Sequence, residues 1–221
     1  DYCVSRGLGD VYKRQDYETL RQVILDRGQS KRSLTALAGP PASGKSHIAN
    51  ALCRDLNKYS PDSAVVLPMD GYHLDNALLE KRGIRDRKGA PHTFDIAGFI
   101  HILQRISLGD EIDIAVPVFD RSLELSRAAG RLIPRTARHI LVEGNYLLLD
   151  QPEWRDLAGF FTTTVMITAP RSLLERRLMQ RWQNLSPTQA REKCESNDLP
   201  NADLVMNSSM STEFNLITGD L

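Results

Sequence analysis

The 221 residues carry 28 Lys and Arg against 28 Asp and Glu, and the zero net charge removes any electrostatic case for nucleic acid or an anionic membrane as main partner. Hydrophobic content of 41% and charged content of 25% are ordinary globular values, which excludes a largely disordered chain and leaves room for one domain-sized core. No apolar run approaches the ~18 residues of a transmembrane helix.

Residues 1–15, DYCVSRGLGDVYKRQ, show no clear period and no apolar signal-peptide stretch, and are expected to be a non-native or disordered leader. Residues 16–221 are expected to form a single domain. Leu20, Val23 and Ile24 mark a short amphipathic helix. Leu34 to Ala38 is a buried strand running into Gly39-Pro40-Pro41, and the spacing of Ile48, Leu52 and Leu56 predicts a helix from Lys45 to about Lys58. Ala64 to Met69 is a second strand, ending at Asp70-Gly71. Ile96, Phe99, Ile100, Leu103 and Ile106 make another helix, with Asp95 as its N-cap. From Ile112 to Val118 the larger apolar residues alternate, a half-exposed strand that Pro117 confines to an edge; Ala128-Ala129-Gly130 are expected to turn it back toward Leu132-Ile133. His139 to Val142 and Thr164 to Thr168 read as core strands, the first ending at Glu143. Strands alternating with helices predict an α/β fold with a mainly parallel sheet covered on both faces.

Gly39-Pro40-Pro41-Ala42-Ser43-Gly44-Lys45-Ser46 matches GxxxxGK followed by Ser, between a predicted strand and a predicted helix. The glycines let backbone N–H groups turn toward phosphate, and the helix N-terminus adds positive potential. Lys45 supplies a charge for the β- and γ-phosphates of ATP, and the Ser46 hydroxyl is placed to bind Mg²⁺. Chance produces such a match in about 1% of chains this long, before the strand–helix context is required.

Parallel sheets gather ligand sites at the carboxyl ends of their strands, where Asp70 and Glu143 stand. Transfer of a phosphoryl group to an alcohol needs one carboxylate to accept the hydroxyl proton and another to help hold magnesium. Asp70 is the candidate base and Glu143 the candidate metal-side acid, although the two roles are open to exchange; the bland alternatives are a turn-forming Asp and a surface Glu. In the helix expected from Arg171 to Gln183, Leu173, Leu174, Leu178 and Trp182 define the inward arc, and Arg177 and Arg181 fall inside it. Such arginines need an anion, either a transferring phosphoryl group under a lid or a structural ion pair. Cys3, Cys53 and Cys194 lack a CxxC, and the five histidines lack a ligand spacing such as HExxH, which favours reduced thiols in a cytoplasmic protein without a structural metal.

The series ALAGPPASGKS, MDGYHLDNALL, RKGAPHTFDIAGF, PVFDRSLE, LVEGNYLLLD, RLMQRW and NDLPNA resembles the uridine kinase, phosphoribulokinase and bacterial-type pantothenate kinase superfamily, from about Leu34 to Val205. It looks closest to a bacterial branch of nucleoside or fructose-transport-associated kinases. The resemblance implies a three-layer α/β/α P-loop NTPase core, with a substrate-covering excursion at about 110–135 and a helical lid at about 171–195. It implies catalytic roles for Asp70, Lys45, Arg177 and Arg181, a loop from Gly39 to His47 on ATP, and Asn201 near the adenine edge. Tyr72, His73, Lys88, His92, Arg121 and Glu124 match segments that border the acceptor site. Two departures stand out: Ala42 replaces a common loop glycine, a strain if that position takes positive φ, and His47 replaces a common Thr.

The expected activity is therefore transfer of the γ-phosphate of Mg-ATP to a small-molecule hydroxyl, with nucleosides, pantothenate and sugars all open as acceptors. Two other classes compete, a P-loop ATPase or GTPase switch and a nucleotide-binding regulator without turnover. Asn57-Lys58 is followed by Tyr59-Ser60 and not by a guanine-reading aspartate, and a passive binder has no evident need for Asp70, Glu143 and two inward arginines. No nucleic-acid or membrane partner is expected, and a homodimer is the default assembly.

Overall fold

The computed structural model describes residues 14–219, so all but the end of the expected leader, Cys3 included, lies outside the described residues. In chain order, α1 (Arg14–Arg27), β1 (Ser33–Ala38), α2 (Lys45–Asn57) and β2 (Ala64–Pro68) are followed by a short α3 (Asn76–Lys81) and α4 (Ile96–Leu108). A ribbon of β3 (Asp113–Asp120) and β4 (Leu125–Pro134) comes next. The remainder is β5 (His139–Gly144), β6 (Thr163–Thr168), α5 (Arg171–Arg181), α6 (Pro187–Lys193), α7 (Leu199–Ser208) and β7 (Phe214–Ile217).

Five strands make one parallel sheet in the order β2–β5–β1–β6–β7. Every residue of β1 and β5 is buried, which is why SLTALA and HILVEG read as continuous runs and not as alternating ones. Alternation survives in which face each residue serves. Leu34, Ala36 and Ala38 join Phe99, Leu103 and Ile106 of α4, while Leu37 packs with Leu20 and Ile24 of α1 and with Ile48 and Leu52 of α2. Helices thus cover both faces, and the three-layer α/β/α core is present. Asp95 caps α4, its Oδ1 accepting the Gly98 N–H at 2.9 Å. No helix among the described residues is long and apolar enough to cross a membrane.

Two details depart from expectation. The ribbon turns at Arg121–Glu124 and not at Ala128-Ala129-Gly130. Asp120 Oδ1 accepts the N–H groups of Ser122 and Leu123 at 3.0 and 3.2 Å, a side-chain-made turn, and Glu124 takes φ +55° to complete it. The Ala-Ala-Gly stretch instead lies inside β4, opposite an irregularity between Val116 and Val118, with Ala129 at φ +52°. Pro117 falls in that irregularity, where its missing N–H costs no ladder bond. The second departure is β7, a four-residue strand beside β6 that the sequence does not announce.

The ribbon lies directly on the turn that follows β2. A Cβ on Gly71 would come within 2.4 Å of the Pro117 carbonyl oxygen, so glycine is what lets the two backbones touch. That contact sets the ribbon tip over Asp70.

Candidate active site

The phosphate loop connects β1 to α2. A Cβ at Gly39 would come 2.0 Å from the Ile167 carbonyl oxygen, so only glycine passes between β1 and β6. Gly44, at φ +91°, is the N-cap of α2, and Ala42 takes φ +64°. The strain anticipated at Ala42 is thus present. A left-handed alanine costs about 1–2 kcal/mol, and a glycine returns about 0.4–1 kcal/mol of that through its freer unfolded chain. Ala42→Gly is expected to raise the urea midpoint by an amount worth about 0.5–1 kcal/mol with no change in slope. A lower midpoint would show that the loop accommodates alanine without strain.

Lys45 is buried, and its Nζ donates to the Pro40 carbonyl at 2.8 Å. Burial lowers its pKa to about 8, against the pull of Glu143 and Asp70. The Ser46 hydroxyl donates to Glu143 Oε1 at 3.1 Å. His47 lines the cleft, and its Nε2 is buried without a hydrogen-bond partner among the described residues.

Asp70 and Glu143 come from neighbouring strand ends, since Pro68 pairs with Glu143 across β2 and β5. Their environments differ. Glu143 is 8% exposed, and burial together with the charge of Asp70 pushes its carboxyl up, while Lys45 and Ser46 oppose the shift. The Asp70 side chain is 31% exposed and faces Arg121 Nη2 of the ribbon tip at 3.5 Å.

Asp70, Glu143, the loop residues Pro41, Ala42 and Gly44 to His47, Arg177, Arg181, His73, Lys88, Arg121, Glu124 and Asn201 line one cleft of about 390 Å³, the size of a small-molecule site, while Gly39, Pro40 and Ser43 of the loop lie behind its wall. Two expected acceptor contacts do not reach it. Tyr72 is buried against Phe99, ring centroids 4.8 Å apart, because its ring completes the core under α4. His92 is exposed and lines a separate groove with Trp154, because the turn Pro91–Thr93 faces it away from the loop.

Several residues that do reach the cleft have other work to do. Arg177 Nη1 donates to the Ala42 carbonyl and to Thr218 Oγ1, both at 3.2 Å, and Nη2 to the Gly219 carbonyl at 2.5 Å. It therefore braces the loop against the segment after β7. His73 is stacked between Phe94 and Phe119, and its Nδ1 lies 2.8 Å from the Asp70 carbonyl. A carbonyl only accepts, so Nδ1 carries a proton, and burial lowers the ring's pKa. Lys88 Nζ donates to Asn76 Oδ1 at 2.6 Å and to the Glu124 carbonyl at 2.9 Å, tying the ribbon tip to α3. Asn201 donates to Asn197 Oδ1 at 3.2 Å. Arg181 makes no ion pair or hydrogen bond among the described residues. Protein on the cleft walls and the charge of Arg121 lower its pKa.

The cleft also contains Gly89, Phe119, Asn145, Trp182, Lys193 and Asp198, which sequence reasoning did not assign. Trp182 was visible on the inward arc, and PVFDRSLE and NDLPNA contain Phe119 and Asp198; Lys193 carried no signal.

Among the described residues no three of His, Cys, Asp and Glu converge. Ser46 and Glu143 instead present two hard oxygens side by side at the start of α2. That pair fits Mg²⁺, which takes few protein oxygens and completes its shell with phosphate and water. The unpartnered His47 nitrogen and the left-handed loop likewise suit a bound phosphate chain.

The chain is similar to known proteins over most of its length. It is 38% identical to a protein of Silicibacter sp. TM1040 provisionally named a fructose transport system kinase, with a TM-score of 0.83 over 90% of this chain and 98% of that one. It is 31% identical over 179 residues to YggC of Escherichia coli (strain K12), itself uncharacterized, covering 77% of this chain and 73% of that one. With the pantothenate kinase of Limosilactobacillus reuteri it shares 29% identity over 157 residues, 70% of this chain but 51% of that enzyme. This chain thus spans about half the length of that relative. No family model matches.

Proposed function

The chain belongs to the P-loop kinase superfamily of uridine kinase, phosphoribulokinase and pantothenate kinase, and from that premise we propose that it moves the γ-phosphate of Mg-ATP onto a hydroxyl of a nucleoside, pantothenate-like or sugar-like acceptor. It is a small-molecule kinase. The observation that carries the finer reading is the unequal pair of carboxylates facing Lys45. Glu143 is buried and engaged by Ser46, which suits it to the magnesium side. Asp70 is open to the cleft and its carboxylate, among the described residues, pairs with Arg121 alone, which suits it to a mobile proton.

In this reading Asp70 takes the acceptor's hydroxyl proton as the freed oxygen bonds to the γ-phosphorus and the bond to the β-bridging oxygen breaks, releasing ADP. Lys45 holds the β- and γ-phosphates against α2. Bound Mg²⁺, held by Ser46 and Glu143, would supply neutralising charge on the phosphate chain. Arg181, which makes no ion pair or hydrogen bond among the described residues, meets the transferring group, while Arg177 acts through the loop it braces. Residues 171–195 serve as the lid and the ribbon walls the acceptor side.

Coupled measurement of ADP release over sugars, nucleosides, pantothenate and related alcohols tests the proposal. The expected result is release that requires both Mg²⁺ and one class of acceptor. Equal release with no organic acceptor present would overturn it in favour of an ATPase switch.

A further inference from the structure

The carboxylates lining the cleft are each answered. Asp70 faces Arg121, Glu143 receives Ser46, Glu124 lies 3.5 Å from Arg85, and Asp198 Oδ2 accepts the Trp182 indole N–H at 2.6 Å. Most of the cations are answered too. Lys45 bonds Pro40, Lys88 bonds Asn76 and Glu124, and Arg177 bonds backbone carbonyls.

Two cations remain. Arg181 of α5 and Lys193 of α6 line the cleft without an ion pair or hydrogen bond among the described residues. Each lies by Trp182: the guanidinium carbon is 5.9 Å and Lys193 Nζ 4.6 Å from the ring centroid. A ring face attracts a cation but takes up none of the three ammonium donors. The Asp198 carboxylate nearby accepts the indole N–H and fixes the ring; it attracts both cations, but among the described residues it forms an ion pair with neither.

The two cations share Asp198 as a neighbour, and each also acts on a different lysine of the cleft. Arg181 lies near enough to Lys45 to oppose its protonation, on the side of the phosphate loop. Lys193 does the same to Lys88, on the side of the ribbon tip and α3. The turn that follows α6, Cys194–Asp198, is π-helical, and Asn197 Nδ2 donates to the Lys88 carbonyl at 2.8 Å. That bond ties the end of α6 to the acceptor side. π-Helical insertions of this kind recur at functional sites.

Resting on the kinase reading above, we propose that Lys193 is a substrate-binding residue that receives an anionic group of the acceptor, a carboxylate or a phosphate monoester. The enzyme accordingly selects acceptors that already carry negative charge over neutral sugars and nucleosides. The anion completes a site in which, among the described residues, no protein carboxylate forms an ion pair or hydrogen bond with Lys193, and Trp182 holds the ammonium in place until it arrives.

The test compares paired acceptors that differ at one position by an anionic group: glycerate with glycerol, pantothenate with pantothenol, and fructose 1-phosphate with fructose. Wild type is expected to favour the anionic member of whichever pair it accepts, and the pair it accepts tells carboxylate from phosphate. Lys193→Met keeps the apolar stem over Trp182 and removes the charge. It is expected to lower kcat/KM for the anionic acceptor about ten- to a hundredfold, with the KM for ATP unchanged. Lys193→Arg is expected to restore most of the loss. A rise in the KM for ATP would place Lys193 on the nucleotide, and equal use of both members by wild type would remove the charge selection; either overturns the proposal. Acceptor-independent ADP release by wild type would overturn the kinase reading and this assignment with it, a result distinct from the other two.

Discussion

Asp70→Asn is expected to lower kcat by about 10²–10⁴-fold while the KM for ATP stays within about twofold, as removal of a positioned general base does. The substitution is nearly isosteric and its structural cost is small. Among the described residues the ion pair it loses is the 3.5 Å pair with Arg121, whose side chain is 62% exposed; ion pairs that open to water contribute about 0–1 kcal/mol, and the lost attraction for Lys45 is offset by relief of the repulsion with Glu143. Loss of turnover therefore reports on proton transfer and not on folding, and a thermal melt of the variant checks that directly. Glu143→Gln is the control for the division of roles. Buried beside Lys45 and accepting from Ser46, Glu143 is expected to set the Mg²⁺ concentration needed for half-maximal rate. If the kcat loss follows Glu143→Gln and the magnesium shift follows Asp70→Asn, the two carboxylates exchange roles.

Both acids were visible in the sequence for a physical reason that does not require the fold. A strand buried on both faces shows as an unbroken apolar run, so the polar residue that ends it, Asp70 after Leu67 or Glu143 after Val142, marks the rim of the sheet. The phosphate loop was legible because its glycine geometry and its chemistry are local to eight residues. What stayed hidden depends on partners distant in the chain. Ala128-Ala129-Gly130 and Arg121–Glu124 both have residues that tolerate a bend, and the choice between them rests on the Asp120 side chain capturing two backbone N–H groups. β7 has four residues and exists because β6 offers it a parallel edge. Tyr72 and His92 lie in short 3₁₀ turns, where no period tells an inward residue from an outward one. Arg177 was rightly read as turned inward, yet its donors end on the Ala42 and Gly219 carbonyls, which no helical wheel contains. Lys193 is one charge on a short polar helix until Trp182, eleven positions earlier, is brought beneath it.

Lys45→Met is expected to reduce ATP turnover by about 10²–10³-fold or more, the usual cost of deleting one preorganised charge from a phosphoryl-transfer site. Its pH dependence gives the assignment an independent check. The folded protein without nucleotide holds the Lys45 pKa near 8, below its ordinary 10.5, because burial disfavours the ammonium. Phosphate binding favours the ammonium, so ATP binding takes up a proton above about pH 8. Affinity should be flat below that pH and fall by up to about tenfold per pH unit above it. Calorimetry of ATP binding from pH 7 to 9.5, in two buffers of different ionisation enthalpy, reads both the slope and the proton; in Lys45→Met both should vanish. Affinity of the wild type that stays constant to pH 9.5 would place the Lys45 pKa above that range. The stability of the nucleotide-free protein should move the other way. The unfolded chain keeps the proton up to its ordinary 10.5 and the folded chain releases it near 8, so unfolding takes up protons between these values and stability rises with pH across that window. Lys45→Met removes a charge that the empty loop holds at a cost. The variant is therefore expected to be no less stable than wild type at pH 7, and its lost turnover to be a loss of phosphate binding alone.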